Sequence, residues 1–268
     1  LIHNLIPKTL KRSLKRAVIS NLSDAIIISF PKCGRTWLRF LLGEIFKKHF
    51  RLKSVESIEI NRLSDENENV PRLYFSHDDN PHKKKPKELE NDKSKYANKK
   101  IIFLVRDPRD VLVSIYHHKR FRNNEYDGSI IDYLNQDVGS IESIIEFYNI
   151  WQKNMCKIND FLIISYENLH NNPVSEVRKI LNFLNISSVE NSTIIQSIEN
   201  SSFSNMRKFE TSGNTKNDKL SANSKTEKNK LKTRKGKVGS YVEYFNEDYI
   251  KKINYLISIK LNNEYSYY

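Results

Sequence analysis

The chain has 268 residues, with Lys+Arg 45 against Asp+Glu 32 and a formal net charge of +13, so it can bury one sizeable α/β core and is drawn to anionic partners. Those partners are a nucleotide carrying several phosphates, an acidic glycan, a membrane surface or nucleic acid, although about half of the excess charge reads as solvated lysine faces. Two cysteines, Cys33 and Cys156, exclude a disulfide framework and a C-x-x-C metal pattern and suit a reducing, cytoplasmic setting, and no apolar run is long enough to read as a membrane span.

Residues 1–22 form a basic extension. Within it, 8–19 place Leu10, Leu14 and Val18 on one helical stripe among Lys11, Arg12, Lys15 and Arg16. The stripe reads either as a helix packed on the domain edge or as an interfacial helix making peripheral membrane contact. From residue 23 onward, four short β-branched runs, 25–30, 72–76, 101–105 and 161–165, read as buried strands. Helical spacing fills the intervals over 35–49, from Pro108, over 140–158, from Pro173 and over 246–261. Residues 81–100 are lysine-rich with Pro81 and Pro86 and read as an exposed connection. Residues 207–233 carry few apolar side chains, and a motif at their end makes them a candidate mobile lid. The alternation predicts a single P-loop-like α/β domain over 23–268, with a central parallel sheet flanked by helices and ligands at the carboxyl ends of its strands.

Three segments carry chemistry. The first strand breaks at Pro31 into Lys32-Cys33-Gly34-Arg35-Thr36-Trp37, and a helix follows at once. A strand, a tight loop and a helix N-terminus make a phosphate cradle of backbone N–H groups, reinforced by one lysine. The G-x-x-x-x-G-K-[ST] loop of nucleoside triphosphatases is absent, since this lysine precedes its glycine. Arg106 closes the third strand, and Ser114 lies about two helical turns further on, so both converge on one anion above the sheet. Arg234-Lys235-Gly236 follows the candidate lid, and Gly239 lies three residues later.

Together these segments resemble the sulfotransferases that use 3′-phosphoadenosine 5′-phosphosulfate (PAPS). The likeness runs over about residues 24–245 and includes Ser165-Tyr166, Asn172-Pro173 and Ser201-Ser202-Phe203. It implies an enzyme that moves a sulfuryl group from PAPS to an acceptor hydroxyl by in-line displacement, releases adenosine 3′,5′-bisphosphate (PAP) and needs no metal. It further implies that Lys32 meets the phosphosulfate bridge, that Cys33, Gly34, Arg35, Thr36 and Trp37 line the 5′ end, and that Arg106, Ser114, Arg234, Lys235 and Gly236 hold the 3′-phosphate. Trp37 and Phe203 correspond to the residues sandwiching adenine, and Tyr166 and Ser201 to polar neighbours of the base.

His77, after the second strand, matches the position of the family's catalytic histidine; His117 and His118 are its rivals. Phe75-Ser76-His77 replaces a common Lys-Thr-His, so one cation near the transferring group is missing. Cys33 at a helix N-terminus raises the prospect of a reactive thiol. The acceptor is a glycan, a lipid or a small molecule, with the basic balance favouring an acidic glycan. Two rival functions stay open: another nucleotide-dependent phosphotransferase, which lacks a Walker lysine here, and a nucleic-acid-binding protein, whose aromatics are expected among the lysine runs and are not found there.

Overall fold

The computed structural model describes residues 20–53, 56–212, 231–265 and 267. The basic stripe at 8–19 and most of the candidate lid, 213–230, lie outside them.

The chain forms a four-stranded sheet in the order β2-β1-β3-β4, with every neighbouring pair parallel. Its strands are β1 (Ala25–Ile28), β2 (Leu73–Ser76), β3 (Lys100–Val105) and β4 (Asp160–Ser165). Ile26, Ile27 and Ile28 are fully buried. A central parallel strand has helices on both faces, which is why this run is continuously apolar instead of alternating. Ile27 stands opposite Phe75 on one side and Ile102 on the other.

The helices are α1 (Arg35–His49), α2 (Ile60–Glu66), α3 (Pro108–His117), α4 (Ile130–Leu134), α5 (Ile141–Met155), α6 (Tyr166–Asn171), α7 (Pro173–Phe183), α8 (Asn191–Asn200), α9 (Phe203–Ser212) and α10 (Glu247–Lys260). Pro108 and Pro173 each open a helix, where a missing N–H leaves no bond unmade. α3 runs into one π turn, His118–Arg122, which re-aims the side chains that follow it. Trp151, Tyr148 and Phe103 are fully buried, and Trp151 stacks on Phe103 with ring centroids 5.5 Å apart.

Two expectations need correction. Residues 81–100 are not a uniformly exposed connection: they form three short 3-10 turns and bury Pro81, Leu89, Lys93 and Tyr96. The cause is Asp78, whose buried carboxylate pairs with Lys93 at 2.6 Å and accepts from the Tyr96 hydroxyl at 2.8 Å. The start of the candidate lid, 207–212, is helical, as the last part of α9. Its end, Leu231 to Thr233, is tied back to that helix: buried Glu210 accepts from the N–H groups of Lys232 and Thr233 and from the Thr233 hydroxyl.

The strand order reverses between β1 and β3. The loops leaving their carboxyl ends therefore diverge and open a crevice, the place where open α/β sheets bind ligands.

Candidate active site

The loop after β1 turns sharply because Lys32 and Gly34 both adopt left-handed backbone, with φ of 76° and 92°. At Gly34 a Cβ would come within 2.5 Å of the Tyr166 ring, so glycine is required by conformation and by contact alike. Cys33 points into the core, where its thiol meets the Tyr148 hydroxyl at 3.3 Å. Burial, first among its causes, pushes that thiol up to about 12. The reactive thiol raised by the sequence is thus corrected: a desolvated thiol stays protonated, and Cys33 serves through its backbone and its packing.

Arg106 spans the crevice. Its guanidinium donates to the Lys32 carbonyl at 3.3 Å and to the Lys237 carbonyl at 3.2 Å, pairs with Asp110 at 3.2 Å, and lies 4.2 Å from the centre of the Tyr166 ring. Its Nε is buried without a partner. Backbone and side chain are locked separately: the Arg106 N–H donates to the Tyr148 hydroxyl, which donates to the Arg106 carbonyl. Three loops distant in sequence thus meet at one guanidinium. Trp37 packs edge-on to Tyr166 at 5.5 Å and also against the cluster of Phe40, Ile58 and Met206. Phe203 lies one turn before Met206, and its ring fills the space where a Gly236 Cβ would stand, 2.3 Å away. Arg234 donates to the Tyr244 hydroxyl at 2.5 Å, and Lys235 pairs with Glu243. Thr36 and Ser114 are half-exposed in the first turn of α1 and on α3. Ser201 is fully buried with its hydroxyl donating to the Ile198 carbonyl, so its polar atom is directed into its own helix end.

Lys32 meets no carboxylate within ion-pair distance among the described residues. Burial first, then the charges of Arg122 and Lys232, lower its amine to about 7, against a partial pull from Glu210. His77 is oriented by its Nδ1, 2.9 Å from the Ser29 carbonyl. A carbonyl only accepts, so Nδ1 carries the proton and Nε2 is the free acceptor. Burial, followed by the charge of Arg35, holds His77 well below the ordinary histidine range.

The two rival histidines face different ways. His117 stacks on Phe121 at 5.2 Å, lies edge-on to Tyr244 at 5.1 Å, and feels Arg234 and Lys235. His118 answers to Lys32, Arg122 and Lys232 after burial, and is lowered to about 3.

Asp110, one turn after Arg106 and marked by no sequence motif, does more than pair with it. Its carboxylate also accepts from the N–H groups of Gly239 and Tyr241 and from the Ser240 hydroxyl. Arg122, His82 and Glu210 were missed too. Each sits in a segment without motif character, and only its proximity to Lys32 signals it.

A glycine-bearing loop at a helix N-terminus, facing an arginine across the switch point of a parallel sheet, defines a P-loop-like α/β protein built to hold a phosphorylated ligand. The family described as the Sulfotransferase domain matches residues 22–263, and the chain belongs to that family. Among curated relatives, the amine sulfotransferase of Oryctolagus cuniculus is 30% identical over 180 residues, which is 60% of this chain and 56% of that protein. The flavonol 3-sulfotransferase of Flaveria bidentis is 25% identical over 263 residues, 89% of this chain and 82% of that protein. Two solved structures share the fold. Mouse sulfotransferase SULT7A1 complexed with PAP has a TM-score of 0.61 at 23% identity and covers 90% of this chain and 84% of its own. Retinol dehydratase in complex with androsterone and inactive cofactor PAP has a TM-score of 0.63 at 17% identity, covering 93% and 85%.

Proposed function

We propose that residues 23–268 form a PAPS-dependent sulfotransferase domain, with 1–22 as its basic extension, acting on an acceptor hydroxyl with His77 as general base. The observation that carries this reading is the Arg106–Lys32 contact, which sets the 5′-end loop and the 3′-end loop side by side. The residues fit such a ligand: Lys32 has no carboxylate partner among the described residues, and Arg106 keeps a buried Nε without a partner. The N–H groups of Gly34 to Trp37 and the Lys32 amine would hold the 5′ end, and Arg106, Ser114, Arg234, Lys235 and Gly236 the 3′-phosphate. Trp37, Tyr166 and Phe203 would flank the base. Bound PAPS supplies the activated sulfuryl group.

His77 Nε2 takes the proton of the acceptor hydroxyl as the new S–O bond forms. Lys32 neutralises the charge that develops on the bridging oxygen as the old S–O bond breaks. His118 is a second candidate base because, after burial, Lys32 is the charge acting most strongly on it; the carbonyl that orients His77 favours the first. The free thiols of Cys33 and Cys156 suit a reducing, cytoplasmic compartment.

A thermal-shift comparison tests the donor assignment. PAP raises the melting temperature by mass action and AMP does so far less; equal shifts would remove the 3′-phosphate site.

A further inference from the structure

Arg35 and Arg39 stand one turn apart on α1, facing the edge strand β2. The Arg39 guanidinium lies 4.0 Å from the centre of the Phe75 ring, two residues before His77. Arg35 is the strongest charge acting on His77. Arg35 Nη1 and Arg39 Nε are shut off from solvent with no hydrogen-bond partner, and among the described residues neither guanidinium pairs with a carboxylate. Burial, and for Arg39 the like charge of Arg35, lower the pair to about 10 and about 9. Two half-buried guanidiniums at helical spacing, each with one nitrogen cut off from solvent and partner, are costly unless an anion joins them. A structural role calls for a carboxylate, as Arg109 has in Asp107 at 2.7 Å.

We propose that Arg35 and Arg39 form an anion subsite between α1 and β2, beside the reacting histidine, which takes a carboxylate or sulfate group of the acceptor. This rests on the sulfotransferase reading above and narrows its acceptor to an acidic hydroxyl compound, an acidic glycan being the class with both groups close together. A planar guanidinium donates two parallel bonds to either oxyanion. The cationic surroundings of Lys32, with Arg122 and Lys232 close by, disfavour a positively charged acceptor.

The test uses protein saturated with PAP, so that the nucleotide's phosphate sites are filled. Sodium sulfate is titrated against sodium chloride at equal ionic strength into the wild type, Arg39→Met and Arg39→Lys. The wild type binds one sulfate, Arg39→Met loses ~10-fold or more in affinity, and Arg39→Lys retains part of it. Arg39→Met also melts higher, because an apolar side chain replaces a half-buried charge that has no ion-pair partner. Unchanged sulfate affinity in Arg39→Met, or a lower melting temperature, overturns the subsite; should Arg39→Met not fold, that counts as the same result, and Arg39→Lys still reports on sulfate.

A second arm separates the acceptor's anion from the donor's sulfuryl oxygens. In Arg39→Met the ratio of PAPS to PAP affinity stays constant, while KM rises for a uronic-acid oligosaccharide and not for its carboxyl-reduced form. A falling PAPS to PAP ratio would assign the pair to the donor and overturn the acceptor assignment. Failure of the donor reading looks different: PAP does not bind at all, and sulfate titrated into the free protein still reads the arginine pair.

Discussion

Asp110 Oδ2 accepts from the Gly239 N–H at 2.9 Å while its other oxygen accepts from the Tyr241 N–H at 3.0 Å, so one carboxylate on α3 docks the segment that follows Arg234-Lys235-Gly236. The same carboxylate pairs with Arg106. It is 1% exposed, which makes all of these bonds depend on a single buried charge. Asp110→Ala leaves Arg106 without its carboxylate and two N–H groups and the Ser240 hydroxyl without their acceptor. It is expected to cost about 3 kcal/mol in unfolding free energy and to weaken PAP binding by ~10-fold or more, in a urea titration and by calorimetry. PAP affinity within two-fold of wild type would separate this clamp from the nucleotide site.

Replacing His77 distinguishes chemistry from binding. His77→Ala lowers turnover by ~10²–10⁴-fold and leaves PAP affinity within a few-fold, because a base touches the acceptor and not the nucleotide phosphates. Lys32→Ala reduces both, since its amine meets the bridge before and during transfer. If His77→Ala turns over normally and His118→Ala does not, the proton goes to His118.

Lys32 makes donor affinity depend on pH. Its amine is lowered to about 7 in the free protein, and an anionic ligand beside it raises that value again. Binding therefore takes up a proton between about pH 7 and the bound value, so PAP affinity falls as pH rises through that window. Calorimetry in buffers of different ionisation enthalpy measures the uptake; Lys32→Met abolishes it. Equal uptake in Lys32→Met would place the titrating group elsewhere.

His117 contributes to acid sensitivity. Burial, then the charges of Arg234 and Lys235, lower it to about 4, so the unfolded chain binds a proton that the folded chain refuses. Its share of stability is complete above the unfolded value near 6.5 and is lost as pH falls from there through about 4. Melting temperatures measured between pH 7 and pH 4 fall less steeply in His117→Phe, which keeps the ring against Phe121 and Tyr244. An identical slope would mean that His117 protonates without opening the fold.

Strands and phosphate loops were legible because both are local. β1 and β3 declare themselves by runs of consecutive β-branched and apolar residues, and the cradle is a matter of where Pro31, Lys32 and Gly34 fall between a strand and a helix. The helices opening at Pro108 and Pro173 follow from proline's fixed φ and missing donor. α8 and α9 were not read as elements: their helical stripes are narrow, with only Ile194 and Ser197, and Met206 and Glu210, fully buried.

What the chain alone left open depends on partners far apart in sequence. A cysteine at a helix N-terminus reads as reactive until Tyr148, 115 positions away, closes over it. His117 and His118 are adjacent and equivalent in sequence, but the roughly 100° step between neighbours on a helix sends the first to Arg234 and the second to Lys32. The lysine-rich stretch after His77 looks solvated until Asp78 draws Lys93 into the interior. Nothing local pairs Arg35 with Arg39; the packing of α1 against Phe75 shuts Arg35 Nη1 and Arg39 Nε off from solvent without a carboxylate. Burial and charge pairing are properties of the assembled interior, where the dielectric is low and each unpaired group is costly, and no local pattern records them.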